Sequence, residues 1–339
     1  MLNWRLCLSE LVLCLQEEAK PLFNYIKFIK VLDYVRLYEC VNPWIKQYGD
    51  DGHNYEGNGK QEDKHELKNL ILYQELSNLI RNIEGLESLS IISMVNKDNN
   101  NLNYTCDNNK SRIDGILRAI EYKAQFIKEL TIEFDQASIY WDDGDDIGNF
   151  RNLKVLNFKQ NTIDFENVVK LIKKTNYNLL NIKLTWRVKR KPSSSSNIYN
   201  HNTASNHNNL FDTITKYCPN LNYISLQINN ETFRDLFCIF KSCKNLKNVD
   251  LNSEAYFEMK IWDISKDMKE FGQVINVKSL IKVKFDSRIN ISNDGIKDFL
   301  QSVEENFNLN NNISNQKFIV EKPLVYNENL VFRKQFIHK

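Results

Sequence analysis

The stretch Cys218-Pro219-Asn220-Leu221-Asn222-Tyr223-Ile224-Ser225-Leu226 places aliphatic residues at 221, 224 and 226. Cys243-Lys244-Asn245-Leu246-Lys247-Asn248-Val249-Asp250-Leu251 repeats that spacing 25 residues later. With Ile, Val or Phe allowed at its apolar positions, the phrase L-x-x-L-x-L recurs seven times. The other five are Leu86-Leu89-Ile91, Ile127-Leu130-Ile132, Leu153-Leu156-Phe158, Leu179-Ile182-Leu184 and Leu280-Val283-Phe285. Successive phrases start 41, 26, 26, 42, 25 and 34 residues apart. The 41- and 42-residue intervals each contain a polar insertion, NKDNNNLNYT from Asn96 and PSSSSNIYNHNTASNHNN after Lys191. Three of the six intervals are 25 or 26 residues, and these two exceed 26 by 15 and 16.

Between the phrases the apolar period lengthens from two to about 3.6 residues, the change expected where a strand gives way to a helix. DFENVVKLIKK puts Phe165, Val168, Val169 and Ile172 on one helical face, with Thr162 or Asp164 placed to cap it. SRIDGILRAIEYKAQF, LFDTITKYC, TFRDLFCIFKSC and NDGIKDFLQSVEENF read the same way. A strand, turn and helix repeated at this period cannot bury its apolar faces alone, so neighbouring units must stack. The expected fold is therefore an α/β leucine-rich-repeat solenoid, with short parallel strands on the concave face and helices on the convex one. A doubly wound α/β domain also alternates strands and helices, but it accounts for neither the constant phase nor the near-constant spacing.

Side chains alternate along a strand, so if the fourth and sixth positions of each phrase face the core, the third, fifth and seventh face outward. This assigns a candidate binding surface to Glu129, Thr131 and Glu133; Val155, Asn157 and Lys159; and Asn181, Lys183 and Thr185. It continues through Tyr223, Ser225 and Gln227; Asn248, Asp250 and Asn252; and Lys282, Lys284 and Asp286. The face is polar and mixed in sign, which suits a protein partner better than an enclosed small molecule.

Composition narrows the function classes. Ten glycines and five prolines in 339 residues disfavour glycine-rich phosphate loops, collagen and disulfide knots, while asparagine reaches 47. A net charge of +2 is too small for electrostatics to dominate binding to nucleic acid or to a membrane surface, and neither is expected as a partner. Seven cysteines, unevenly spaced and without a C-x-x-C pair, read as reduced small apolar residues. The five histidines supply no ligand spacing for zinc, so no metal or cofactor is expected.

Candidate chemistry is sparse. Asp142, Asp143, Asp145 and Asp146 in WDDGDDIG are misaligned with a calcium loop and lack its closing glutamate, so a solvated loop is expected. GHNYEGNGKQ has its lysine at the wrong spacing for a phosphate loop. His201 and His207 lie in a Ser/Asn tract and read as part of a disordered insertion. No G-x-S-x-G, H-E-x-x-H or kinase signature occurs, and no catalytic residue is assigned. Leucines cluster from Leu6 to Leu15, but Glu10 interrupts them and no small-residue cleavage site follows. The expected location is the cytoplasm, or the nucleus if RVKRK at 187–191 acts as an import signal.

Residues 1–45 differ in texture, being dense in apolar and aromatic side chains, and are expected to form a short helical segment. Residues 46–66 read as a loop or linker, and 67–339 as degenerate repeats with insertions near 96–110 and 187–209. Cys14-Leu15-Gln16-Glu17-Glu18-Ala19-Lys20, then Pro21-Leu22-Phe23-Asn24-Tyr25 with Phe28, resemble the "CLPEESK" and "PLFNY-x-x-F" blocks of fungal F-box/leucine-rich-repeat proteins. CPNLNYISL and CKNLKNVDL resemble the repeats of that family. The resemblance implies the substrate-recognition part of a cullin-type (SCF) ubiquitin ligase, binding a protein substrate through the concave face and having no catalysis of its own. In that family the F-box precedes the first block and holds the ligase adaptor. Here 13 residues precede Cys14, so most of the F-box is expected to be missing, with Trp4, Leu6 and Leu8 as the tail of its last helix. Adaptor binding is then expected only if an F-box lies upstream, and a stand-alone scaffold or decoy is the alternative.

Overall fold

The computed structural model describes residues 29–33, 74, 76–92, 106–134, 148–160, 165–186, 202–229, 232–253, 262–309, 316–321 and 329–336. The chain divides into two compact units, Met1–Leu153 and Lys154–Lys339. Both are mixed α/β with sheets that are wholly or mostly parallel.

In the first unit, β1 (Val31–Asp33), β2 (Ser88–Ile92) and β3 (Glu129–Phe134) run parallel in chain order. The register aligns the repeated phrase with itself: Leu32 is level with Leu89, Leu89 with Leu130, and Ile91 with Ile132. All five of these side chains are buried. Parallel pairing requires a crossover, supplied between β2 and β3 by α1 (Cys106–Lys123), whose Ile116, Leu117 and Ile120 are buried. A further helical stretch over residues 76–82 buries Leu76 and Ile80. It is tied to α1 by the Ser77 hydroxyl, which donates to the Gly115 carbonyl at 2.9 Å.

In the second unit, β4 (Val155–Gln160), β5 (Asn181–Trp186), β6 (Tyr223–Ile228) and β7 (Asn248–Ser253) are parallel in chain order. The connections carry α2 (Glu166–Lys173), α3 (Asn202–Tyr217) and α4 (Phe237–Ser242). A short parallel pair follows, β8 (Trp262–Asp263) with β10 (Ile289–Asn290), flanking α5 (Met268–Val274) and β9 (Lys282–Phe285). β9 extends the parallel ladder beyond β7. Consecutive helices touch, from α2 through α5 and on to α6 (Asn293–Leu309). In neither unit does the strand order of the parallel ladder reverse, whereas a doubly wound sheet has such a reversal where its ligand cleft opens.

A single hydrogen-bond motif joins one phrase to the next. The carbonyl of the second position accepts the N–H groups of the second and third positions of the following phrase, at 2.7–3.1 Å. In the first unit Lys30 accepts from Glu87 and Ser88, and Glu87 from Lys128 and Glu129. In the second, Lys154, Leu180, Asn222 and Lys247 accept in turn from the pairs beginning at Leu180, Asn222, Lys247 and Ile281. Asparagine contributes to the same stacking. The side-chain amide of Asn152 donates to the Gln125 carbonyl, that of Asn220 to Tyr177, and that of Asn276 to Lys244. Part of the asparagine excess is therefore structural.

The C-terminal end departs from the repeat. β11 (Gln316–Glu321) and β12 (Leu330–Phe336) form an antiparallel hairpin, and β12 pairs antiparallel with β9. Phenylalanines fill the core behind it. Phe271 packs at 5.4 Å from Phe299 and 6.2 Å from Phe285, and Phe299 lies 4.6 Å from Phe332. Gly272 lets α5 approach α6, since a Cβ there would lie 2.8 Å from both the Phe299 carbonyl oxygen and the Ser302 Cβ.

Three expectations need correction or completion. The helix expected from Leu210 begins at Asn202, so the end of the second polar insertion is ordered helix. His207, expected in a disordered tract, is 2% exposed, with its ring 5.2 Å from Phe165, 5.4 Å from Trp186 and 6.0 Å from Phe211. Its place on the buried face follows from the spacing His207, Leu210, Phe211 and Ile214, which the asparagines around it obscure. The third is α2, whose N-cap is Phe165 with no side-chain cap bond. The candidate caps Thr162 and Asp164, the 141–147 acidic loop, RVKRK, His201 and most of residues 1–66 lie outside the described residues.

Candidate functional site

The alternation read from sequence places the candidate residues on one side of each sheet, with the core on the other. Along β5 and β7 the fourth- and sixth-position side chains are buried, while Asn181, Lys183, Thr185, Asn248, Asp250 and Asn252 are half-buried or exposed. In the first unit, Glu129, Thr131 and Glu133 occupy the outward positions of β3, level with Ser88, Ser90 and Ile92 on β2. The Ser88 hydroxyl donates to Glu129 at 3.3 Å.

In the second unit the register converts the candidates into rows that cross the strands. One row runs Asn157, Lys183, Ser225, Asp250 and Lys284, ending at Val331. A second runs Val155, Asn181, Tyr223, Asn248 and Lys282, ending at Arg333. Lys159 stands level with Thr185, and Gln227 with Asn252. Asp286 follows β9 directly, and its N–H donates to the Leu251 carbonyl at 2.8 Å.

These rows carry their own hydrogen-bond network. The Tyr223 hydroxyl donates to Asp250 Oδ2 at 2.9 Å, and Asn252 Nδ2 donates to the Ser225 hydroxyl at 3.1 Å. Gln227 Oε1 accepts the Trp186 backbone N–H at 2.6 Å, beyond the last paired residues of β5 and β6, Lys183 and Ser225. Ser225 and Gln227 are accordingly 2% and 4% exposed, the most enclosed members of the face. Burial and the neighbouring Asp250 carboxylate push the Tyr223 hydroxyl up to about 12, so it stays a donor at neutral pH. Arg288 grips Asp286 through Nη2 at 3.0 Å and Nε at 3.2 Å. Burial is the strongest single influence on Asp286 and raises it, but the combined Arg288 and backbone hydrogen bonds outweigh it and hold the carboxyl below its ordinary value.

The face also has members that the sequence reading missed. Val31 and Asp33 on β1 join Ser88 and Ser90, and Val331 and Arg333 on β12 extend the second unit's rows. The first signal was present as Ile29-x-x-Leu32-x-Tyr34, which matches the phrase at its first and fourth positions and carries tyrosine at the sixth. The second was the alternation in Leu330-Val331-Phe332-Arg333.

Outside the face the described residues offer little chemistry. Among them no group of three or more His, Cys, Asp or Glu is placed to hold a metal ion, and no helix is long and apolar enough to cross a membrane. Cys218, Cys238 and Cys243 are free thiols. Burial raises all three, Cys243 to about 12, which keeps the thiolate scarce and the sulfur unreactive. Cys243 Sγ instead donates to the Cys218 carbonyl at 3.3 Å, linking two consecutive repeats.

No family model matches the chain, and no curated protein matches it. The likeness to F-box/leucine-rich-repeat proteins therefore rests on the quoted residues alone.

Proposed function

We propose that the chain is a leucine-rich-repeat solenoid that binds a protein through the polar face of its strands. We further propose that it acts as the substrate-recognition part of a cullin-type ubiquitin ligase. The observation that carries the solenoid reading is the in-register stacking of one phrase on the next, with the second-position carbonyl motif repeated at every described step within each unit. Such stacking leaves an extended row of outward side chains on successive strands, a surface built for a large partner rather than an enclosed substrate. The ligase role rests on the N-terminal blocks at Cys14–Lys20 and Pro21–Tyr25.

Affinity purification with the wild-type chain and with Lys159→Glu/Lys183→Glu/Asp250→Lys tests both parts. Loss of a partner from the variant supports recognition by this face, and an unchanged partner set removes the face as the main binding surface. Recovery of the ligase adaptor together with a ubiquitinated partner supports the ligase role. Recovery of neither removes it and leaves the interaction module standing alone.

A further inference from the structure

We propose that the polar face of the second unit takes an acidic protein segment, its carboxylates seated along Lys183, Lys282 and Lys284. This rests on the binding-face reading above and adds the chemistry of the partner.

The sign of the face carries the inference. The outward positions of β5 to β7 and β9 hold these three lysines, and the two carboxylates beside them each have a partner of their own. Asp250 accepts the Tyr223 hydroxyl at 2.9 Å, and Asp286 is held by Arg288. Lys284 stands directly opposite Asp250, yet among the described residues no carboxylate lies within ion-pair distance of Lys183, Lys282 or Lys284. Arg288 neutralises Asp286, so Lys183, Lys282 and Lys284 outnumber the one remaining carboxylate, Asp250, and the net positive charge raises the local concentration of an acidic partner. The sheet itself does not dictate this sign. In the first unit the same outward positions carry Asp33, Glu129 and Glu133 and no basic residue.

Spacing defines the ligand further. Lys183 and Lys284 share a row and lie three strand steps apart, about 14 Å at ordinary strand spacing. About four residues of extended chain cover that distance, so acidic side chains four apart would reach both. Thr185 and Asn252 lie among the lysines and carry hydroxyl and amide groups that can bond a peptide backbone. Nucleic acid fits less well, because Asp250 and Asp286 would sit against phosphates and Tyr223 is the lone aromatic ring at the outward positions of β4 to β7 and β9.

Fluorescence anisotropy with the full chain and a labelled Glu/Gly-repeat peptide tests the proposal, with a Gln/Gly peptide and single-stranded RNA as comparison probes. The acidic peptide is expected to bind, the Gln/Gly peptide not to, and affinity to fall on raising salt. Lys183→Glu with Lys284→Glu should weaken binding about tenfold or more, while Lys173→Glu with Lys241→Glu on the helices should leave it unchanged. Lys183→Gln with Lys284→Gln, milder for folding, should weaken it in the same direction. Failure of the acidic peptide to bind, indifference to both lysine pairs, or tighter binding of RNA through the same lysines would each overturn the proposal. Thr185→Arg separates the two readings. A natural partner lost with Thr185→Arg but insensitive to the lysine variants keeps the face as the binding surface and removes its acidic specificity.

Discussion

The two units build one pattern from different side chains. In Met1–Leu153 the strand positions facing the core are Leu32, Leu89, Ile91, Leu130 and Ile132, backed by the aliphatic Ile116, Leu117 and Ile120 of α1. Near the C-terminal end of Lys154–Lys339 the equivalent space is aromatic, with Phe285 and Phe332 on strands against Phe271 and Phe299 on helices. The outward faces differ as well, acidic on β1 to β3 and rich in lysine on β4 to β9. What both units share is phase, meaning which positions point inward and which carbonyl links consecutive phrases. Phase is enough to stack the repeats, so the size of the inner side chains and the charge of the outer ones are free to vary independently. That freedom allows the charge of the outer face to change without disturbing the core beneath it.

The largest expected effect comes from breaking the aromatic end. Phe271 contacts the rings of Phe233, Phe237, Phe240, Phe285 and Phe299. Phe271→Ala removes the shared partner of all five and should cost about 3–5 kcal/mol in denaturant unfolding followed by circular dichroism. Leu130→Ala in the aliphatic unit should cost about 2–5 kcal/mol by the same mechanism. If each substitution shifts a separate transition, the units unfold independently; a common shift would make them one cooperative block.

A smaller effect sharpens the comparison by its sign. Gly272→Ala forces a methyl group against the Phe299 carbonyl and should destabilise by about 1–3 kcal/mol through overpacking. Gly115 lies within α1, and a Cβ built there meets nothing within 4 Å. Gly115→Ala should therefore stabilise by about 0.5–1 kcal/mol through helix propensity. Thermal melts of the two variants should move in opposite directions, and a matching loss in both would show that Gly115 is packed more tightly than its surroundings indicate.

Legibility from sequence followed the same division. The parallel strands were readable because the fourth and sixth positions of each phrase must both be apolar, a constraint that survives degenerate repeats. β1 escaped because its phrase stands 57 residues ahead of the next, inside a segment whose general apolarity hides any period. The hairpin of β11 and β12 escaped because alternation alone does not say which strand will be the partner, or in which direction. The first turns of α3 escaped because asparagine and serine dominate them and obscure the spacing that His207 shares with Leu210, Phe211 and Ile214. At the candidate site the outward positions were legible from a period of two. The bond from Tyr223 to Asp250 was not, because it depends on the register between strands 27 residues apart in sequence.

That bond supplies the smallest and most local prediction. Burial and Asp250 raise Tyr223 from its ordinary 10.0 to about 12, so between those values the unfolded chain has released a proton that the folded chain still holds. The stability contributed by Tyr223 is complete below pH 10 and is lost as the pH climbs to about 12. Tyr223→Phe removes this linkage, so its stability should decline less steeply across that window than the wild type's, measured by urea midpoints at closely spaced pH. Ultraviolet titration of tyrosine ionisation should show the same group as a late component missing from the variant. An identical pH slope in the two proteins would mean that Asp250 does not hold the Tyr223 proton, and the hydrogen-bonded rows of the second unit would then have to be redrawn around the Asn252–Ser225 and Trp186–Gln227 bonds.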